Sequence, residues 1–232
     1  MPYASEALDE MVGGSDIQAC SDATARRMAV RAYLRASTLL TTSENDDVEI
    51  FGFAITASLA SLTKKRGKHR AHIAMQTRTT TRTWFFELHK GARTRGSEER
   101  VVADPAVNLL AHSFGLPGNA LEVSTQDTTE TASADFAPLF DGSRGVLGTP
   151  GTAFLPGSFN PLHDGHTQMR ADASRRIGQP VQFELCVRNV DKALLDFIEL
   201  ARRRMQFNES ECVLTTHLLS LKKQMRWVKE MA

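Results

Sequence analysis

Strand and helix signals alternate over residues 151–217 in the order strand, helix, strand, helix, strand, and this order restricts the fold more than any other feature of the chain. GTAFLPG reads as a short strand running into a turn, and His166 to Ile177 as a helix with Met169 and Ala173 on one face. VQFELCV is a second strand. DKALLDFIELARRRMQF follows as an amphipathic helix with Leu194, Phe197, Ile198, Ala201 and Met205 in one stripe. ECVLTTH is a third strand, and LSLKKQMRWVKEMA a last helix. Strands joined by crossover helices pair in parallel with right-handed connections. Ligands of such sheets bind beyond the carboxyl ends of the strands. GSFNPLHDGH, Gly157 to His166, follows the first strand and falls at that end.

Residues 1–115 carry a separate set of signals. SDATARRMAVRAYLRAS has Ser21 as an N-cap, with Ala25, Met28, Ala29 and Ala32 at helical spacing. VEIFGFAIT is β-rich around Gly52, and AHIAMQT and TRTWFFELHK read as strands, the latter alternating at Trp84, Phe86 and Leu88. Glu98 to Phe114 reads as a helix, with Pro105 predicting a kink or break. In residues 116–150, Thr, Ser, Gly, Pro and acidic side chains dominate, so a linker or long surface segment is expected there, dividing the chain into domains 1–115 and 151–232.

Composition narrows the function classes. A net charge of +1 gives no global attraction to nucleic acid or an anionic membrane. No apolar run approaches the roughly 18 residues that cross a bilayer. MPYASEALDE lacks the basic and apolar regions of a secretory signal, so a cytoplasmic protein is expected. Cys20, Cys186 and Cys212 have no zinc-ligand spacing and read as free thiols.

The chemistry gathers at Gly157 to His166. Gly157 allows a sharp backbone turn that exposes amides. The following helix N-terminus presents unpaired N–H groups and a positive dipole end to an anion. Pro161 sets the entry into that helix. His163 and His166 stand at its mouth with Gly165 leaving room between them, and imidazoles there can donate to phosphate oxygens as charge develops on them. GSFNPLHDGH resembles the His-x-Gly-His signature of the nucleotidyltransferase superfamily, which includes nicotinamide-nucleotide adenylyltransferases and cytidylyltransferases. The resemblance implies a Rossmann-like βαβαβ domain in residues 151–232. It implies His163 and His166 as the catalytic, phosphate-contacting pair, with Gly157, Ser158, Phe159, Asn160 and Gly165 forming the phosphate cradle. The implied reaction moves a nucleotidyl group from ATP or CTP, with Mg²⁺, onto a small phosphorylated acceptor such as nicotinamide mononucleotide, releasing pyrophosphate. Pantetheine phosphate and choline phosphate are equally compatible acceptors.

Asp191 and Lys192, after the second strand, and Thr215 and Thr216, after the third, are candidate substrate-side residues. Arg202, Arg203 and Arg204, and likewise Lys222 and Lys223, read as solvated helix faces rather than phosphate clamps. Members of the superfamily carry a later Ser/Thr-Arg motif that clamps the outer phosphates, and nothing past Thr216 resembles it. The expectation is therefore part of such a domain: either a piece of an enzyme, or a catalytically inactive nucleotide-binding or scaffold protein. A sheet cut short exposes a strand edge, which predicts a homo-oligomer or an unstable monomer.

In the first half, GFAITASLASLTKKRGKHRAHIAMQT followed by EERVVADPAVNLLA resembles the C-terminal domain of CinA-type proteins, a nicotinamide-nucleotide amidase. That family begins with a Ser-Cys-Thr-Gly-Gly turn bearing its nucleophile, which is missing from this chain. Tyr3 matches the Tyr of its Tyr-Ser-Asn segment, but Leu8 stands where a lysine is expected. Without nucleophile or base, no amidase activity is expected. The basic turn Lys64, Lys65, Arg66, Lys68, His69 and Arg70 reads as a solvated loop, and the absence of interleaved aromatics argues against base stacking. His69 and His72 have no acid nearby in sequence to complete a metal site, and His112 reads as a packed core histidine.

Overall fold

The computed structural model describes residues 4–14, 18–40, 48–63, 66–119, 124–132, 134–187, 194–208 and 210–216. Tyr3, Lys64, Lys65, Asp191, Lys192, Lys222, Lys223 and the helix expected over 219–232 lie outside the described residues. The chain is mixed α/β with two sheets, and it divides into the units Met1–Glu130 and Thr131–Ala232. Among the described residues no helix is long and apolar enough to cross a membrane.

The first unit contains α1 (Ser5–Val12), α2 (Asp22–Leu39), β1 (Gly52–Ser58), β2 (His69–Gln76), β3 (Thr80–Leu88), α3 (Arg95–Ser113) and β4 (Gln126–Thr131). The strands stand in the order β1-β2-β3-β4, and β1–β2 and β2–β3 are antiparallel, with Ile55 opposite Ile73 and Ile73 opposite Trp84. Alternation sorts the side chains onto two faces. On one, Ile73, Met75, Trp84, Phe86 and Leu88 pack with Val102, Ala106 and Leu109 of α3. Fully burying a side chain of this kind contributes about 1.5–3 kcal/mol. On the other, Ala54 and Ala74 meet Ala25 and Ala29 of α2, and these small residues let helix and sheet approach closely.

Several details depart from the periodicity. Ser21 does cap α2, accepting from the Thr24 amide at 3.1 Å, but Ala32 points to solvent. α3 begins at Arg95, capped by Thr94, and runs through Pro105. His112 is exposed rather than packed, because α3 turns that side away from the sheet. His69 has an acid partner distant in sequence: its Nδ1 lies 2.7 Å from Oε1 of the fully buried Glu98, whose Oε2 accepts the Ala60 amide at 2.6 Å. In the basic turn, Lys68 pairs with Glu87 at 2.9 Å and Arg70 donates to Gln18 at 2.9 Å.

The second unit contains α4 (Phe136–Asp141), β5 (Val146–Leu147), β6 (Ala153–Pro156), α5 (Asp164–Ile177), β7 (Val181–Cys186), α6 (Phe197–Arg204) and β8 (Cys212–Thr215). Its sheet runs β5-β8-β7-β6, with β6–β7 and β7–β8 parallel. β5 was not anticipated; it pairs antiparallel with β8, Val146 opposite Thr215, and so covers an edge expected to be open. Residues 116–150, expected as a linker, thus supply β4, α4 and β5.

Each helix keeps most of its expected stripe, with Ala173 half-buried in α5 and Leu194 and Phe197 buried with Ile198 and Ala201 half-buried at α6, but each loses its methionine. In α5 the half-buried residues are His166, Arg170, Asp172, Ala173, Ser174 and Ile177, while Met169 is 54% exposed. In α6 the side chain of Asp196 accepts from the Glu199 amide at 2.9 Å, starting the helix at Phe197. That start sends Phe197, Leu200 and Arg203 inward and leaves Met205 79% exposed.

No two of the three cysteines are joined in a disulfide. Burial pushes the Cys212 thiol up to about 12 against the weaker opposing charge of Arg204, so it stays protonated at neutral pH. Maleimide is therefore expected to leave Cys212 unmodified in the folded chain and to label it after denaturation, read by peptide mass spectrometry. Native labelling as fast as that of Cys20 would contradict the burial of β8.

Candidate functional site

β6 ends at Pro156, and the chain turns at the carboxyl edge of the parallel strands before entering α5. Phe159 is the centre of this turn. It is 2% exposed, and its ring meets Phe183 at 5.0 Å, Phe207 at 5.3 Å and His166 at 5.2 Å, each edge to face. Its backbone has φ 46°, a left-handed conformation that costs a bulky residue roughly 1–2 kcal/mol. Such strain persists only where the surroundings impose it. Here the aromatic cage does so.

The glycine before it has a different role from the one its sequence suggested. The Gly157 amide is bonded to the Glu184 carbonyl at 3.1 Å and is committed to the sheet, not to an anion. What the position requires is space, since a Cβ there would lie 2.5 Å from the Phe159 ring. Gly165 does leave room beside a histidine, as a Cβ there would lie 3.2 Å from the His163 ring.

α5 begins two residues earlier than expected. His163 is its N-cap, with extended backbone, and its side chain makes no capping bond. The His166 amide bonds the His163 carbonyl at 2.9 Å. This turn stacks the two imidazoles, with centroids 3.7 Å apart and planes 25° apart. His163 is exposed and His166 half-buried. Burial lowers the His166 pKa below its ordinary 6.5, and the neighbouring His163 lowers it further. His166 is therefore neutral at neutral pH. Its Nδ1 is buried without a partner. A lone pair left unpaired inside the protein is tolerated better than an orphaned N–H, so the proton belongs on Nε2. The pair thus offers ring N–H donors at a helix N-terminus.

α6 and the turn after it brace this loop. Arg203, 9% exposed, donates from Nη1 to the Ser158 carbonyl at 3.0 Å and from Nε to Glu199 at 2.6 Å. Gln206 donates to the Phe159 carbonyl at 2.9 Å and accepts the Leu162 amide at 2.7 Å. Arg202 bonds the Asn160 side chain and Glu199. Arg202 is exposed as expected of a solvated face, but Arg203 is not, because the helix start at Phe197 turns it inward. Burial opposes ionisation of Glu199, but hydrogen bonds and charge from Arg202 and Arg203 outweigh it and bring the carboxyl down to about 2. The stabilisation from this ion pair is complete above pH 4.5 and is lost as pH falls toward 2. The Glu199 carboxyl ¹³C shift is expected to titrate at about pH 2. A carboxyl midpoint near 4.5 in that titration would contradict the pairing of Glu199 with the arginines.

Of the other predicted site residues, Thr215 and Thr216 lie at the carboxyl end of β8 with their hydroxyls used internally. Thr215 bonds Glu184 at 3.2 Å and Thr216 bonds the Gly145 carbonyl at 3.3 Å, and both are buried. These bonds tie β8 to β7 and to the segment before β5. Arg203 and Gln206 were missed, and only the three-residue steps from Leu200 to Arg203 to Gln206 marked them as inward. A cavity of about 400 Å³ around Arg170, Gln182 and Glu211 lies at the amino ends of the strands, away from the loop. Among the described residues no cluster of three or more His, Cys, Asp or Glu side chains forms a metal site. No protein-family model, curated protein or solved structure is detectably similar to the chain.

Proposed function

We propose that residues 131–232 form a Rossmann-like nucleotide-binding unit, and that the 157–166 loop receives the phosphates of a nucleoside triphosphate, ATP or CTP. The observation that carries this reading is the stacked His163–His166 pair, held at the N-terminus of α5 beside a strained, caged Phe159. The reaction it supports is nucleotidyl transfer. A phosphate oxygen of a small acceptor such as nicotinamide mononucleotide attacks the α-phosphorus, the bond to the bridging oxygen breaks, and pyrophosphate leaves. His163 and His166 donate hydrogen bonds to phosphate oxygens as charge accumulates on them. The braced loop holds the phosphates in place, so that positioning supplies much of the rate.

Mg²⁺ fits as a companion of the triphosphate rather than as a resident ion, since it is commonly held by phosphates with one or two carboxylates. Asp164, exposed in the first turn of α5, is the carboxylate available next to His163. When bound, Mg²⁺ would neutralise phosphate charge that Asp164 otherwise repels.

A second reading, nucleotide binding without transfer, is favoured by one observation. Arg202 and Arg203, the cations that brace the loop, are engaged by Glu199, Asn160 and Ser158. For the first unit, the CinA-like reading is proposed as an amidase-derived domain without amidase activity. Calorimetric titration with Mg–ATP and Mg–CTP is expected to show saturable binding of at least one nucleotide. Pyrophosphate release on adding nicotinamide mononucleotide supports transfer, and binding without release supports the second reading. Absence of binding to both nucleotides would remove both.

A further inference from the structure

Peptide groups that cradle an anion must turn their N–H side toward it and their carbonyls away. In a trans peptide the C=O and the next N–H point in opposite directions. The carbonyl of Ser158 is tied to Arg203 at 3.0 Å, which turns the Phe159 N–H away from α6. The carbonyl of Phe159 is tied to Gln206 at 2.9 Å, which turns the Asn160 N–H the same way. Gln206 also takes the Leu162 amide at 2.7 Å, fixing the chain just before the His163 cap. One residue thus grips both sides of Asn160 and Pro161. Glu199 holds the Arg203 guanidinium from the same helix at 2.6 Å, so the donor is aligned before the loop docks.

We infer that Arg203 and Gln206 are positioning residues of the phosphate loop. They lock the carbonyls of Ser158 and Phe159 onto α6 and the turn that follows it, so that the Phe159 and Asn160 amides and the stacked His163–His166 pair present donors to a nucleotide phosphate. The inference rests on the nucleotide-binding reading for its ligand, but not for the state of the loop. Neither side chain is required to touch the nucleotide. Their effect passes through the backbone they hold.

The test compares the wild-type chain with Gln206→Met, Gln206→Glu and Arg203→Lys. Three readouts are needed: amide exchange of residues 158–162, the NMR shifts of the His163 and His166 ring protons, and affinity for Mg–ATP and Mg–CTP. Gln206→Met removes both bonds and is expected to speed Leu162 exchange at least about tenfold. It is also expected to move the imidazole shifts toward those of unstacked rings and to weaken nucleotide binding about tenfold. Gln206→Glu keeps an acceptor for the Leu162 amide but loses the donor to Phe159. Leu162 should stay protected while nucleotide affinity still falls. Arg203→Lys cannot reach Glu199 and Ser158 together as the guanidinium does, and is expected to act like Gln206→Met. Arg203 is buried, so unchanged exchange in β7 and continued protection of Cys212 serve as the check that its variant is folded. If it is not, the two Gln206 variants, at a half-exposed position, decide alone. Unchanged loop exchange and ring shifts in the folded variants would overturn the inference, as would a loosened loop that binds nucleotide at wild-type affinity. A wild-type chain that binds neither nucleotide sinks the nucleotide reading and, with it, the assigned ligand. The exchange and ring-shift data then still decide whether α6 sets the loop.

Discussion

Gly52→Ala is expected to destabilise the first unit by about 3 kcal/mol or more, at or beyond the upper end of ordinary overpacking. A Cβ at this position would lie 1.9 Å from the Ala29 carbonyl oxygen and 2.4 Å from the Tyr33 amide nitrogen. Both atoms belong to the backbone of α2, so no rotamer change relieves the clash. The helix must lift from the sheet, separating Ala25 and Ala29 from Ala54 and Ala74. Gly67→Ala is the matched control, because a Cβ there meets nothing within 4 Å. Its effect should stay within about 0.5 kcal/mol. Chemical denaturation followed by circular dichroism measures both. Equal midpoints for the two variants would mean that α2 does not lie on β1 as described.

The second large effect is on ligand binding. His163→Ala combined with His166→Ala is expected to weaken Mg–nucleotide affinity by about a hundredfold or more, from about 1.5–3 kcal/mol for each hydrogen bond to a charged group. His166 also packs against Phe159, so protection of Cys212 must be shown in the same preparation. His166→Gln, which keeps a donor, should fall between wild type and the double variant. The pH dependence follows from the lowered His166 pKa. A free imidazole that resists protonation contributes a folding penalty as pH falls below 6.5, because the unfolded chain binds that proton more readily. A bound phosphate reverses the preference and favours the protonated ring. Affinity should therefore gain from His166 as pH drops below neutral, and the double variant should lack that component. An identical pH profile in both proteins would exclude His166 from the phosphate site.

Where local pattern and tertiary environment coincide, the elements were legible. Trp84, Phe86 and Leu88 alternate because β3 has one face in a core, and they are 2%, 1% and 3% exposed. Ser21 caps α2 by a bond to a residue three positions on, an interaction that needs no distant partner. β4 was hidden because QDTTET has no apolar residue to alternate. It is held at the edge beside β3, where Arg82 reaches Asp127 at 3.4 Å. The His69–Glu98 pair joins a strand start to a helix start, and nothing in either segment announces the other. Leu200 and Arg203 were missed on the inner face of α6, and Met205 was wrongly placed there, because the helix start depends on the Asp196 cap rather than on the nearest apolar residues.

At the candidate site, the stretch from Gly157 to His166 determined by itself a turn, a helix entry and two imidazoles close together, since these depend on residues within one turn of each other. Which atoms of that stretch face outward was decided by the tertiary structure. Phe159 takes its strained conformation because Phe183 and Phe207, from elsewhere in the chain, enclose its ring. The Ser158 and Phe159 carbonyls point toward α6 and the turn after it because the Arg203 and Gln206 donors wait there, and an unpaired carbonyl would cost more than the turn does. Local sequence can place a donor in a loop. Only partners from other elements can orient it.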